Sequence, residues 1–340
     1  MLLFVPISVI LDLSERMDKF LEHKVPISEI MGYYGNFLLY FFNILFPIFL
    51  FLSVIWFTSR LAQNTEIIAM LNTGMPFTRM LRPYLIGATI IALSVLFLNL
   101  SVIPKARLGY NEFWVKYVHS KYHKTRETND VYRRIDPTHY IYASNLNHKN
   151  KTAYNFVLEK VEDGALKSKL YADRIVFNPK KNNYTLHNIT KRTYLKNKEK
   201  IETMNRFDTV FSFTLDDLTP VDYIAETLNY TQLNRFIDKE KKRGSKNIKK
   251  FELEKYKRTS LPISAFILTF IGVALASQKK RSGMGGNLAL GISISMIYIL
   301  FDRIFGILVI KSGFSPMFAA WIPNIMFSII AILLVLRAKK

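Results

Sequence analysis

The chain has no cysteine and only six histidines. Disulfides and thiolate-held metals are thereby excluded, and the redox compartment is left unconstrained. No HExxH pair, no GxxxxGK[S/T] loop and no pair of intramembrane aspartates is present, so zinc-protease chemistry and P-loop nucleotide binding are excluded as well. Of His23, His119, His123, His139, His148 and His187, only His119 and His123 stand four apart, where one helix face would hold both. Two imidazoles without a third ligand read as a solvated helix face before a metal site. Catalysis by this chain is not expected.

Acids are scarce too: 26 Asp and Glu against 47 Lys and Arg give a formal charge of +21. The excess sits mainly in the middle of the chain, mixed with acids and alternating apolar residues. A surface facing anionic lipid heads or a phosphorylated glycolipid accounts for it as well as nucleic acid does.

Charge is missing altogether from three long stretches, 37–57, 84–103 and 316–336. Each reaches the ~20 apolar residues that carry a helix across a hydrocarbon core ~30 Å thick. Weaker candidates are 261–277 and 287–310, the latter interrupted by Asp302 and Arg303. An integral membrane protein follows. The opening MLLFVPISVIL stops at Asp12, short of a span, with no basic leader and no small-residue cleavage site. It reads either as a short buried helix or as the outer half of a first span.

Basic residues orient these spans. Arg60, Arg79 and Arg82 lie in 58–82, Lys279, Lys280 and Arg281 in 278–286, and Arg337, Lys339 and Lys340 in the tail. Segment 12–35 holds Asp12, Glu15, Asp18, Glu22 and Glu29 against Arg16, Lys19 and Lys24, and 311–315 holds Lys311 alone. The basic loops and the C-terminus are therefore expected in the cytoplasm, with the long middle segment outside. That segment reads as β: 139–146, 152–161, 169–178, 184–195 and 205–215 are rich in β-branched and aromatic residues and separated by turn clusters. An antiparallel sandwich or open jelly-roll is expected, followed by a helix near 231–237 that Thr231 can cap, with Leu233, Phe236 and Ile237 on one face. The parts are then 1–103 in the membrane, 104–257 outside and 258–340 in the membrane again.

Between the first two charge-free runs stands TEIIAMLNTGMPFTRMLRP, residues 65–83. Ile67, Met70, Leu71, Gly74 and Met75 fall on one stripe of a helical wheel, with Asn64 or Thr65 as cap and Glu66 at the positive end of the helix dipole. Gly74 can close the helix in the left-handed conformation and Pro76 can open the next. A short cytoplasmic helix at about 64–76 is expected. Its bland reading is a helix on the lipid interface; its functional reading is a coupling helix whose exposed Met and Ile side chains enter a groove on a partner, with Glu66 and Arg79 at the rim.

The same residues resemble the cytoplasmic segment of the lipopolysaccharide-export permeases, the LptF/LptG family. LTPVDYIAETLNYTQLNRFIDKEKKRG resembles the end of that family's periplasmic domain, and 258–327 resembles its last three spans. FDRIFG followed by GFSPMFAAWIPN is closer to the LptG branch than to LptF. The resemblance implies a six-span helical inner-membrane protein, its first span truncated here, with a periplasmic antiparallel β-jelly-roll. It implies a non-catalytic permease subunit that extracts lipopolysaccharide from the outer leaflet of the inner membrane. The implied partners are a second LptF/LptG-type permease, a dimer of the ATPase LptB that binds ATP and magnesium, and the bridge proteins LptC and LptA. In the family, basic residues near Arg16 and Lys19 approach lipid A phosphates; the competing reading is pairing with Asp12, Glu15 and Asp18 on a solvated face. Intramembrane charge is costly, so Arg303 is expected to face the cavity at phosphate depth, with Asp302 orienting it or pairing with another helix, or else Arg303 snorkels to the interface. Arg133 and Arg134 flank the lipid's exit or form a solvated strand edge. A force-transmitting permease and a membrane scaffold or sensor with an outside ligand-binding domain are the alternatives. The first usually carries a fused P-loop domain, and the second favours a terminal signalling module for which the tail RAKK leaves no room.

Overall fold

A computed structural model describes residues 4–118, 128–147, 150–179, 181–195, 198–211, 213, 215–219, 223–278 and 283–338. His119, His123, His148, Lys279, Lys280, Arg281, Lys339 and Lys340 lie outside the described residues.

Each charge-free run becomes a helix that outgrows it. The N-terminal part contains α1 (Phe4–Glu22), α2 (Ile27–Gln63), α3 (Glu66–Asn72), α4 (Phe77–Met80), α5 (Arg82–Phe97) and α6 (Ile103–Phe113). Wide π-type turns at Leu98–Val102 and Trp114–Val118 carry α5 through α6 to Val118 without a break. The C-terminal part contains α10 (Ile248–Ala276), α11 (Gly283–Ser312) and α12 (Pro316–Ala338). Among the described residues, five helical stretches are long and apolar enough to cross a membrane: Ile27–Gln63, Phe77–Val118, Ile248–Ala276, Gly283–Ser312 and Pro316–Ala338. Helix α1 is a separate helix outside these five. It docks on α2 and the end of the second stretch through Phe20, Tyr33, Phe37 and Phe113, with Tyr33 stacked on Phe113 at 4.4 Å.

Helix α10 is the centre of this bundle: 67% of its apolar window is buried, against 22–33% for the other four. Phe51 and Ile55 of α2 pack there on Ile267, Leu268 and Ile271, joined by Tyr298 of α11 and Phe327 of α12. Small residues allow the close approach. A Cβ on Gly272 would stand 2.9 Å from Val54 Cγ1, one on Gly291 would strike Ile55 Cδ1, and one on Gly109 would strike the Asn36 amide. In hydrocarbon a polar group must find a partner within the protein. Accordingly, Tyr298 Oη donates to Asn324 Oδ1 (2.9 Å), Asn324 Nδ2 to Ser260 O (2.8 Å), and Asn287 Nδ2 to Ser59 Oγ (3.0 Å). The outer faces are apolar and exposed, as with Ile86, Ile90, Leu93 and Phe97 on α5. That is the pattern of a surface covered by lipid or by another apolar surface.

The second compact unit comprises residues 119–225 and 234–248. Its six strands are β1 (Asn129–Arg134), β2 (His139–Asn147), β3 (Thr152–Glu162), β4 (Ala165–Asn178), β5 (Asn183–Leu195) and β6 (Lys198–Thr209). They form one antiparallel sheet in sequence order, consistent with the β-jelly-roll domain of the expected plan. One face carries the core, with Val131, Ile141, Phe156, Ile175, Leu186 and Leu218 buried. Two corrections to the strand reading arise here. NDVYRR pairs as β1 although no strand was expected, and the last strand is 198–209 rather than 205–215. The remaining short helices are α7 (Leu215–Leu218), α8 (Ile224–Thr227) and α9 (Tyr230–Lys242). Thr231 does not cap α9. Asn229 and Gln232 form a reciprocal capping box instead, with Gln232 N donating to Asn229 Oδ1 (2.8 Å) and Asn229 N to Gln232 Oε1 (3.1 Å).

Candidate functional site

The turn between α2 and α5 holds the helix that the stripe predicts, but it is shorter and faces the other way. Helix α3 runs Glu66–Asn72, and no side-chain cap closes its start, where Thr65 sits at φ 61. Gly74 does take the left-handed conformation, φ 83, and Pro76 precedes α4. Seven residues are too few for a helix to stand alone in water, so packing must hold it. Ile67 is 1% exposed against Ala62, Phe77, Met80, Leu81 and Val273, and Met70 and Leu71 pack partly on the same cluster. The stripe is thus the anchoring face, and the expectation that Ile67 projects toward a partner is corrected. The outward face is Glu66, Ile68, Ala69, Asn72 and, beyond the break, Arg79. Met75 is half-buried and lines a cleft beside α3.

Asp302 and Arg303 behave differently from each other. Asp302 stands about 28 Å along α11 from Gly283 at 1.5 Å per residue, close to the far side of a ~30 Å core. Its carboxylate accepts from Lys257 Nζ of α10 at 2.7 Å, so Asp302 pairs across helices. Arg303 is exposed and makes no ion pair or hydrogen bond among the described residues. Arg303 takes no part in that pair, and its charge opposes the rise that burial gives the Glu226 carboxyl.

The N-terminal cations are occupied. Arg16 Nε reaches Asp12 Oδ1 at 2.6 Å, with its guanidinium 4.3 Å from the Trp114 ring centroid, and Tyr33 Oη donates to Asp12 Oδ2 at 3.0 Å. Lys19 Nζ donates to Val118 O at 3.0 Å. The Asp12–Arg16 pair lies at i, i+4 in a largely buried aromatic setting rather than on a solvated face, and both cations brace α1. In the β domain, Arg133 is 3% exposed, its Nε donating to Leu218 O at 2.8 Å. Its charge also lies near buried Glu240, whose pKa burial raises while Arg133 and Arg243 pull it down. Arg134 donates to Asp136 O and Pro137 O in the β1–β2 turn. The first is an internal clamp and the second a turn brace, not a free pair of exit cations.

One constellation escaped the sequence reading. Arg107 of α6 lies 2.8 Å from Glu226 Oε2 and 3.6 Å from Glu254 Oε1, above the Tyr40 ring at 4.9 Å. Arg258 meets the same Glu254 at 3.5 Å and donates to Leu228 O at 2.7 Å. Two arginines and two carboxylates so tie α2, α6, α8 and α10 together. The Glu254–Arg258 spacing of four is visible in the sequence, but it straddles the expected boundary between the outside part and the second membrane part.

The matches to known proteins agree with this architecture. The model of the lipopolysaccharide export system permease LptF/LptG matches residues 1–337. The chain belongs to the LptF/LptG family. It is similar to the lipopolysaccharide export system permease protein LptG of Escherichia coli, from strain K12 and from O6:H1 strain CFT073. Each is 22% identical over 300 residues, covering 87% of this chain and 82% of the relative. The LptF/LptG members are permease subunits of a lipopolysaccharide export system, which agrees with the five spanning helices and the separate antiparallel sheet.

Proposed function

We propose that this chain is the LptG-like permease subunit of an ATP-driven exporter that takes lipopolysaccharide from the outer leaflet of the inner membrane. It pairs with a second LptF/LptG-type permease, and its periplasmic sheet passes the lipid to LptC- and LptA-like bridge proteins. The loops bearing Arg60, Arg79 and Arg82 face the cytoplasm, as does the C-terminus. ATP and magnesium bind in a separate LptB-like ATPase dimer.

The observation that carries this reading is the family match across residues 1–337. The geometry supplies working parts. Helix α3 presents Glu66, Ile68, Ala69 and Asn72 to the ATPase while Ile67 roots it in the bundle, so a push on the outward face moves α2 and α5. Arg303 offers a fork to a lipid phosphate at the outer end of α11. Arg16 and Lys19 contribute by holding α1 against Trp114 and Val118 at the end of the second spanning stretch rather than by touching phosphate.

The test is purification from the native membrane, with partners and bound lipid identified by mass spectrometry. Recovery of an ATPase, a second permease and lipid A is expected. A folded sample that brings neither ATPase nor glycolipid refutes the exporter reading and favours the scaffold.

A further inference from the structure

A cleft of about 750 Å³ opens between α2, α5 and the inward face of α3. Its walls are apolar, formed by residues such as Leu50, Val54, Phe57, Met70 and Ile91. The hydroxyls that border it are engaged: Ser53 donates to Phe49 O, Thr269 to Ala265 O, and Tyr84 Oη accepts from Thr58. The interior therefore offers little to a polar ligand and suits hydrocarbon. At one end stand Arg79 and Arg82, both exposed, neither making an ion pair or hydrogen bond among the described residues. From Arg82 to Ile91 the cleft runs about 14 Å along α5, close to half of a ~30 Å core and so the depth of one leaflet.

We infer that this cleft is a binding site for an anionic glycerophospholipid of the cytoplasmic leaflet. One acyl chain lies between α2 and α5, and the phosphate sits between Arg79 and Arg82. The volume falls in the ~300–1,000 Å³ range of ligand sites, and two unspent guanidinium forks match a phosphate in charge and geometry. Ile67 and Met70 line the cleft from α3. A seated acyl chain thus completes the packing beneath that short helix, and the lipid acts as a wedge that sets its position. The inference rests on the membrane orientation proposed above and not on the identity of the exported cargo.

Gly87 gives a clean probe. It borders the cleft, and a Cβ added there meets nothing within 4 Å, so Gly87→Leu fills the space without displacing the helices. The experiment reconstitutes the purified complex in nanodiscs of phosphatidylglycerol or phosphatidylcholine with the same chains. Lipid retained per complex after delipidation is counted by native mass spectrometry. Wild type should keep phosphatidylglycerol over phosphatidylcholine by about thirtyfold, roughly fivefold for each cation beside an anionic head. Arg79→Gln with Arg82→Gln should abolish the preference, and Gly87→Leu should abolish retention of either lipid. Equal retention by all three proteins overturns the proposal, because the lipid is then merely annular. So does a Gly87→Cys thiol, unique in this cysteine-free chain, that crosslinks to a partner polypeptide and not to a thiol-reactive phosphatidylglycerol. A complex that holds no lipopolysaccharide but passes this test keeps the lipid site and loses only the exporter reading.

Discussion

Helix α3 has two isoleucines side by side, and they should respond to truncation in opposite ways. Ile67 is 1% exposed and Ile68 41% exposed. Removing a buried Ile side chain to Ala costs about 2–5 kcal/mol, depending on how far neighbours collapse into the space. Met70 is flexible and borders the open cleft, so partial refilling places Ile67→Ala near the lower end, about 2 kcal/mol. The loss falls on a helix that cannot persist unaided, and it should appear as local opening rather than global unfolding. Two kcal/mol is about a thirtyfold rise in the open population. Hydrogen exchange reads it directly at amides held by the helix and its C-terminal turn: Ala69 N to Thr65 O, Thr73 N to Ala69 O and Gly74 N to Leu71 O. Ile68→Ala should leave those amides within about 0.5 kcal/mol of wild type, yet reduce the ATPase that co-purifies. If both variants exchange alike, or if Ile67→Ala exchanges as wild type, α3 is not anchored by Ile67 and the assignment of its two faces is wrong.

Arg303→Ala should lower lipopolysaccharide-stimulated ATP hydrolysis with little change in thermal stability, since Arg303 makes no ion pair or hydrogen bond among the described residues; unchanged stimulation and growth would dismiss the phosphate role. The Lys257–Asp302 pair is about a third exposed on each side, 27% and 32%, so a double-mutant cycle on thermal unfolding should return about 0.5–1 kcal/mol after solvent screening, and a coupling of zero would show that the pair does not join α10 to α11. Gly291→Leu drives a side chain into Ile55 and should cost about 1–3 kcal/mol or more, read as a lower midpoint in detergent. Burial alone would raise the Asp136 carboxyl, but hydrogen bonds from Thr138 and His139 outweigh it and hold its pKa below the ordinary carboxylate range. A depressed folded-state pKa gives stability above the unfolded value that is lost as pH falls. Asp136→Asn should therefore lower the β domain's midpoint at pH 7, the gap narrowing as pH falls below the unfolded aspartate value near 3.9 and closing only below the depressed folded-state value; parallel curves down to acid would refute this.

The spans were legible because charge is so costly in hydrocarbon that its absence over 37–57 or 316–336 leaves few alternatives. Their continuations were not. IPKARLGYNEF and IKKFELEKYKR mix charge with apolar residues, and only the finished structure shows Arg107 and Arg258 balanced by Glu226 and Glu254. The central strands announced themselves through alternating β-branched and aromatic residues, whereas β1 and the first part of β6 are edges whose NDVYRR and KEKIETM look like loop. Edge strands commonly carry charge, which discourages pairing with other chains and also hides them from pattern reading. The α3 stripe was legible as a stripe, but amphipathicity states that a face is buried, not what buries it. A groove on a partner and the flank of α2 demand the same spacing.

A charge of +21 makes nearly every cation a tempting ligand for phosphate, and their partners sort them. Arg16, Lys19, Arg133, Arg134 and Lys257 each have an acceptor within the chain, and moving any of them to a substrate would leave a carboxylate or carbonyl behind, several of them buried. Arg79, Arg82 and Arg303 can bind an anion without that loss. They stand at opposite ends of the spanning helices, the first two beside α3 and the third toward the Ser312 end of α11. On the proposed orientation and function, anionic lipid meets both ends, as phospholipid in the inner leaflet and as the proposed glycolipid cargo in the outer leaflet. Two separated sets of arginines that make no side-chain ion pair or hydrogen bond among the described residues are what is expected if one lipid is cargo and the other is part of the machine.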